Sequence, residues 1–100
     1  MNILYIDDEN LPKRWYDEQN SIQNVTTYEQ AIEKLQKQKF DIIDIKLEIK
    51  GSFNGYDIIR YIIKEQLEIP YIYIHSNDIK MRSSMIKLLK NYTNSEIQYY

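Results

Sequence analysis

Short apolar runs at residues 3–6, 22–25, 40–45 and 71–74 alternate with segments whose apolar residues recur at helical spacing. That alternation predicts a parallel sheet with crossover helices. Residues 3–6, Ile-Leu-Tyr-Ile, are apolar throughout, as a central strand covered on both faces would be. Residues 12–20 predict a short helix, with Pro12 tolerable only in its first turn. Residues 22–25 predict a short strand. Thr27 and Gln30 then have the spacing of a capping box, with Tyr28, Ala31, Ile32 and Leu35 on one helical face. Residues 40–45 predict a further strand, and the loop after it runs to Asn54, punctuated by Gly51 and closed by Gly55. A helix opening near Gly55 is expected to turn Ile59, Ile62, Ile63 and Leu67 inward and to stop before Pro70. After the strand at 71–74, Met81, Met85, Leu88, Leu89 and Tyr92 keep a helical period, and residues 96–100 suit a final edge strand.

One hundred residues with 43% hydrophobic content suffice for one core and not for two, so a single domain is expected. No linker, repeat or low-complexity tract divides it. The formal net charge of -2 neither drives nor forbids contact with nucleic acid, so any anion recognition must be local. Lys34, Lys37 and Lys39 read as a solvated helix face and duplex DNA is not an expected partner. The chain has no cysteine, which removes disulfides, thiolate metal sites and a cysteine nucleophile. No apolar run approaches the ~18 residues of a membrane span, so neither signal peptide nor anchor is expected and the protein reads as cytoplasmic.

Polar groups stand where the apolar strands run out: Asp7-Asp8-Glu9, Asp44, and His75-Ser76. In an open parallel sheet, ligands bind outside the carboxyl ends of the strands at a topological switch point, so these groups are predicted to converge. Asp7, Asp8 and Asp44 together repel one another unless a cation intervenes, and oxygen ligation of this kind suits Mg2+ or Mn2+, which would in turn hold a phosphate. The plainer alternative makes Asp7 and Asp8 helix caps. Asp41 and Asp44, three apart, fall on opposite strand faces, so one of them is expected to be solvated. Ser76, Asn77 and the backbone N–H groups that open the helix of Met81 form a candidate anion nest beside His75, with Arg82 one turn further in. A structural histidine and a solvated arginine are the competing readings, and Met81 with Met85 reads as core.

The strings Ile3-Leu4-Tyr5-Ile6-Asp7-Asp8-Glu9, Thr27-Tyr28-Glu29-Gln30-Ala31, Phe40-Asp41-Ile42-Ile43-Asp44, Asn54-Gly55-Tyr56-Asp57-Ile58-Ile59 and Ile74-His75-Ser76-Asn77, with Arg82 and Met85, span almost the whole chain. They resemble the receiver domains of response regulators and, more closely, the cyclic-phosphate-processing receiver-like family of phages and bacteria. The resemblance implies a flavodoxin-like, receiver-like three-layer α/β sandwich with about five parallel strands in order 2-1-3-4-5. The lysine, proline and fifth helix that end ordinary receivers are expected to be absent. Where the family carries Asp-His-Asp-Leu-Gly, this chain has Asp44-Ile45-Lys46-Leu47-Glu48, with Lys46 at the second acid and Glu48 at the glycine. Lys46 is thereby placed to supply a metal's positive charge and to join Ser76, Asn77 and Arg82 on a phosphate.

Two classes of function follow. In one, a metal held by Asp7, Asp8 and Asp44 polarises a cyclic phosphodiester on a nucleotide or RNA end, and His75 with Asp44 carries the catalysis. In the other, the domain binds without turnover, sequestering a phosphate-containing small molecule or docking a protein through Tyr71, Tyr73, Tyr99 and Tyr100, with homodimerisation through the last strand one form of such docking. Phosphorylation of Asp44, as in a receiver, is a third reading.

Overall fold

The computed structural model describes residues 1–9 and 21–99. Eight elements follow in chain order: β1 (Asn2–Ile6), β2 (Ser21–Val25), α1 (Tyr28–Lys37), β3 (Ile42–Lys46), α2 (Gly55–Lys64), β4 (Tyr71–His75), α3 (Ile79–Tyr92) and β5 (Glu96–Tyr99). The strands form one parallel sheet in the order β2-β1-β3-β4-β5. The chain is thus a flavodoxin-like α/β fold, with the parallel sheet that the alternation of patterns predicts and the strand order that the family resemblance implies. The helix expected at residues 12–20 and the side chain of Tyr100 lie outside the described residues.

Strand order fixes where the helices go. From β2 onward each crossover steps past or to the next strand in the same direction, and right-handed crossovers then deliver α1, α2 and α3 to a single face. That face holds the larger core, in which Leu4, Ile6, Ile43, Ile45, Ile72 and Ile74 from the strands meet Ala31, Leu35, Ile58, Ile59, Ile62, Met85 and Leu89 from the helices. Complete burial of one such isoleucine is worth about 1.5–3 kcal/mol. On the opposite face a second cluster is built on Ile3, Tyr5 and Ile42, with Ile22, Tyr71 and Tyr73 against it. Period-two alternation sends Tyr5, Asp44 and Tyr73 to this second face, where their Cα atoms are in register across three strands.

The helix ends differ in detail from the expected ones. Thr27 caps α1 by accepting from the Gln30 N–H at 3.2 Å, but Gln30 Oε1 accepts from the N–H of Thr26 at 2.9 Å and not from Thr27, so the reciprocal half of the box is shifted by one residue. A complete capping box stands instead at α2, where Asn54 accepts from the Asp57 N–H and Asp57 accepts from the Asn54 N–H. Helix α2 stops at Lys64 rather than running through Leu67. Gln66 takes a left-handed φ of 53°, and the N–H groups of Gln66 and Leu67 return to the carbonyls of Ile63 and Ile62. This Schellman-type ending folds Leu67 back onto the core, so Leu67 packs inward without being helical. Tyr92, which keeps the helical period of α3, is exposed at its last position.

Candidate functional site

The order of strands reverses direction at β1, since β2 lies on one side and β3 on the other. The carboxyl ends of β1 and β3 therefore flank the switch point, with the end of β4 beside them. Register does the rest: Lys46 is paired with His75, and Ile6 with Ile45, so Asp7, Lys46 and His75 begin the three strand exits in one row.

His75 sits between two buried carboxylates. Its Nδ1 lies 2.7 Å from Asp44 Oδ1 and its Nε2 lies 2.9 Å from Asp7 Oδ2. The Asp44 side chain is 0% exposed and that of Asp7 1%. An imidazole facing carboxylates on both nitrogens donates on both only when protonated. Burial works against the charged ring, but the hydrogen bonds and charges of Asp44 and then Asp7 outweigh it and hold the His75 pKa above its ordinary 6.5. Tyr5 completes the setting. Its ring stacks on the imidazole at 5.5 Å between centroids, and its hydroxyl donates to Asp7 Oδ2 at 3.4 Å. The Glu9 N–H donates to the other Asp7 oxygen at 2.8 Å, tying the loop after β1 to the same group.

Asp8 turns away from this trio. Its Oδ1 receives the Lys46 ammonium at 2.9 Å and its Oδ2 receives the Lys50 N–H at 2.7 Å, while Glu9 approaches the same ammonium at 3.4 Å. Both side chains of the Lys46–Asp8 pair are nearly enclosed, 11% and 8% exposed. Burial opposes the Asp8 charge, yet Lys46 and the Lys50 N–H lower its pKa below the ordinary carboxylate value. Lys46 is desolvated too, and Asp8 and Glu9 nevertheless raise its pKa.

The β3–α2 loop is fixed from below by Gly55. A Cβ there would stand 2.5 Å from the Lys46 carbonyl oxygen and 2.8 Å from the Leu47 Cα, so only glycine lets α2 begin directly against the end of β3. From this loop Glu48 reaches across to the start of α3. The Ser76 hydroxyl donates to Glu48 Oε1, and the Asp78 N–H reaches the same oxygen at 3.3 Å. Glu48 Oε2 is buried with no hydrogen-bond partner among the described residues. Asp78 also caps α3, accepting from the Met81 N–H at 3.0 Å.

The expected site residues thus fall into three groups. Asp7, Asp44 and His75 come together as one hydrogen-bonded unit; Asp8 and Lys46 form an adjoining pair; Ser76 joins Glu48 and Asp78. Asn77 is exposed between Ser76 and the cap. Arg82 does not turn toward His75: its guanidinium lies 4.5 Å from the centre of the Tyr99 ring, on the β5 side. The alternative that Asp7 and Asp8 serve only as helix caps does not account for their bonds to His75 and Lys46. Asp41, three residues from Asp44, is the partly solvated member and accepts from the Asn2 N–H at 2.8 Å. Tyr5 and Glu48 were not foreseen as partners. Tyr5 shares a strand face with Asp7, a period-two signal legible in the sequence, whereas the reach of Glu48 depends on a loop path that no periodicity encodes.

A metal needs several of these carboxylates turned to one point. Among the described residues no group of three or more His, Asp or Glu side chains is gathered in that way. Asp7 and Asp44 are turned to the imidazole, and Asp8 to the ammonium of Lys46. As arranged, the donor set does not fit Mg2+ or Mn2+. The Lys46 ammonium and the His75 imidazole stand among the acids instead.

A parallel sheet of this order with an acidic cluster at its switch point defines a receiver-like domain. The chain belongs to the cyclic-phosphate processing receiver domain family, whose model matches residues 2–91. Among solved structures, the receiver domain of a Francisella response regulator is similar with a TM-score of 0.69 and 14% identity, over 97% of this chain and 82% of that one. A Burkholderia pseudomallei response regulator, described with a phosphorylated aspartic acid, a calcium ion and citrate, is similar with a TM-score of 0.66 and 14% identity, over 98% of this chain and 58% of that one. At such identity the likeness is one of fold. No curated protein sequence matches the chain.

Proposed function

We propose that this domain binds a cyclic phosphate ester, on a nucleotide or an RNA end, at the carboxyl edge of β1, β3 and β4. Family membership supports the class of ligand. The observation that carries the reading is the Asp44–His75–Asp7 unit, an imidazole fixed at the switch point and followed directly by the Ser76 hydroxyl and the Asp78 N–H at the start of α3. Those donors are the kind that hold phosphate oxygens.

Hydrolysis is the second reading, favoured by the Asp44 bond to Nδ1. A carboxylate on one ring nitrogen fixes the imidazole and leaves the other nitrogen to handle a proton. For turnover, Nε2 exchanges Asp7 for an ester oxygen. Water attacks phosphorus, the ring P–O bond breaks, the His75 proton passes from Nε2 to the departing alkoxide, and the proton shed by the attacking water as the P–OH group forms returns to Nε2; Asp44 is a positioning residue throughout. A divalent cation is not required by this scheme, and one would enter by displacing Lys46 from Asp8.

The test uses a panel of 3',5'- and 2',3'-cyclic mononucleotides, cyclic dinucleotides and RNA with a 2',3'-cyclic end. Calorimetry reads binding and chromatography reads product, each with Mg2+ and with chelator. Binding of at least one member, weakened by His75→Ala, is the expected result. A product that His75→Ala abolishes establishes turnover, while retention without product establishes a binding module. Failure of the entire panel to bind overturns the proposal.

A further inference from the structure

The contact between Glu48 and Ser76 joins two loops that are distant in sequence and adjacent at the site. Glu48 leaves the end of β3, crosses to the exit of β4, and sets one carboxylate oxygen on two donors, the Ser76 hydroxyl and the Asp78 N–H. The Asp78 N–H also donates to Ser76 Oγ at 3.0 Å, so it is shared between the hydroxyl and Glu48, and hydroxyl and amide face the same carboxylate oxygen. What they face is thus an anionic oxygen from the chain itself. Its sister oxygen, Glu48 Oε2, is enclosed without a hydrogen-bond partner among the described residues. A buried carboxylate oxygen left in this state is unfavourable, because its desolvation is uncompensated. The arrangement therefore holds an anion firmly on one side and poorly on the other.

Resting on the phosphate-binding reading above, we infer that Glu48 is an internal latch: its carboxylate occupies the place of a ligand phosphate oxygen at Ser76 and Asp78, and a phosphate ester binds by expelling it. Expulsion frees the β3–α2 loop from the start of α3 at Glu48. Lys46 and Gly55 hold the two ends of the same loop, through Asp8 and through the close approach to the Lys46 carbonyl. The Lys50 N–H bond to Asp8 and the buried Leu47 and Ile49 hold its middle, so movement on ligand binding is centred on the Glu48 side chain. The latch makes the site selective for ligands whose phosphate offers more than one acceptor, since a single oxygen only replaces what Glu48 already supplies. A side chain too short to reach Ser76 at position 48 would leave these two groups only their bonds to each other, Asp78 N–H to Ser76 Oγ and the Ser76 hydroxyl to the Asp78 carbonyl.

The probe is inorganic phosphate, titrated into 15N-labelled protein and followed by calorimetry and amide shifts. Glu48→Ala is expected to bind phosphate about tenfold more tightly than the parent, the order of effect that a charge-assisted hydrogen bond provides. The Asp78 amide is expected to move with phosphate in the variant at concentrations that leave the parent unchanged. Glu48→Gln keeps the size and removes the charge, so it carries the same comparison if the alanine variant does not fold, with a smaller gain expected. Equal affinities, with the Asp78 amide shifting alike, overturn the latch and leave the binding reading standing. No phosphate binding by any of the three proteins overturns the latch, while the binding reading is decided by the cyclic-ester panel.

Discussion

Asp44, wholly buried in β3, and His75, the last residue of β4, meet at 2.7 Å although 31 positions separate them in the chain. The pair makes the acid–base behaviour of the fold depend on one imidazole. Because the native pKa of His75 lies above 6.5, the folded state holds that proton more tightly than the unfolded chain. By linkage, the stability that His75 contributes is complete below about pH 6.5 and is lost as pH rises through the raised native value. Denaturant melts from pH 5 to 9 are expected to show this decline, and His75→Gln is expected to remove that component of it. Asp44→Asn is expected to lower the imidazole pKa measured by NMR; an unchanged value would mean that Asp44 does not support the charge.

Lys46 carries the opposite expectation at acid pH. The lowered Asp8 pKa means that this pair stabilises the fold above about pH 3.9 and fails as pH drops through the depressed native value. Lys46→Met strands Asp8 in a nearly closed setting, and loss of one partner from a buried pair costs about 3–5 kcal/mol. Urea midpoints check the size. A loss well under about 1 kcal/mol would place the pair among ordinary surface ion pairs.

Lys46→Asp tests the relation between ammonium and metal directly. With an acid in place of the ammonium, Asp8 and the new carboxylate would share a site whose repulsion a cation relieves. Mn2+ electron paramagnetic resonance is expected to detect binding to the variant at concentrations where the parent leaves the ion free. Equal Mn2+ uptake by both proteins would show that Lys46 does not govern access.

Gly55→Ala probes the support beneath the loop. Its Cβ would meet the Lys46 carbonyl oxygen at 2.5 Å, and backbone atoms on both sides must shift to admit it. A loss of about 1–3 kcal/mol is expected, as for an overpacked core, with amide shifts concentrated at residues 46–50. Asn54→Ala, which removes the capping box and leaves that contact alone, is expected to cost about 0.5–2 kcal/mol with no change at Lys46.

Strand and helix patterns were legible because each element repeats one decision: residues 3–6 bury both faces, and Ala31 with Leu35 recur on a helical stripe. Gln66 shows the limit. Its left-handed backbone ends α2 early, although nothing in a Gln codes for such a turn. The candidate site was legible as a set of strand-end acids and one histidine, and the structure unites Asp7, Asp44 and His75 as the strand-end reading implies. Arg82 was placed with them by its distance along a helix, but direction around the helix axis, not distance, brings its guanidinium to Tyr99.

The sequence alone determined the alternation of elements and the chemical identity of every group at the carboxyl edge, because these follow from local periodicity and side-chain type. Tertiary structure alone decided which acid faces which cation. Asp7 and Asp8 are neighbours in the chain, yet one bonds His75 and the other Lys46, since successive residues leaving a strand point in different directions. The seating of Glu48 on Ser76 was decided in the same way, by two loops made adjacent through the parallel pairing of β3 and β4.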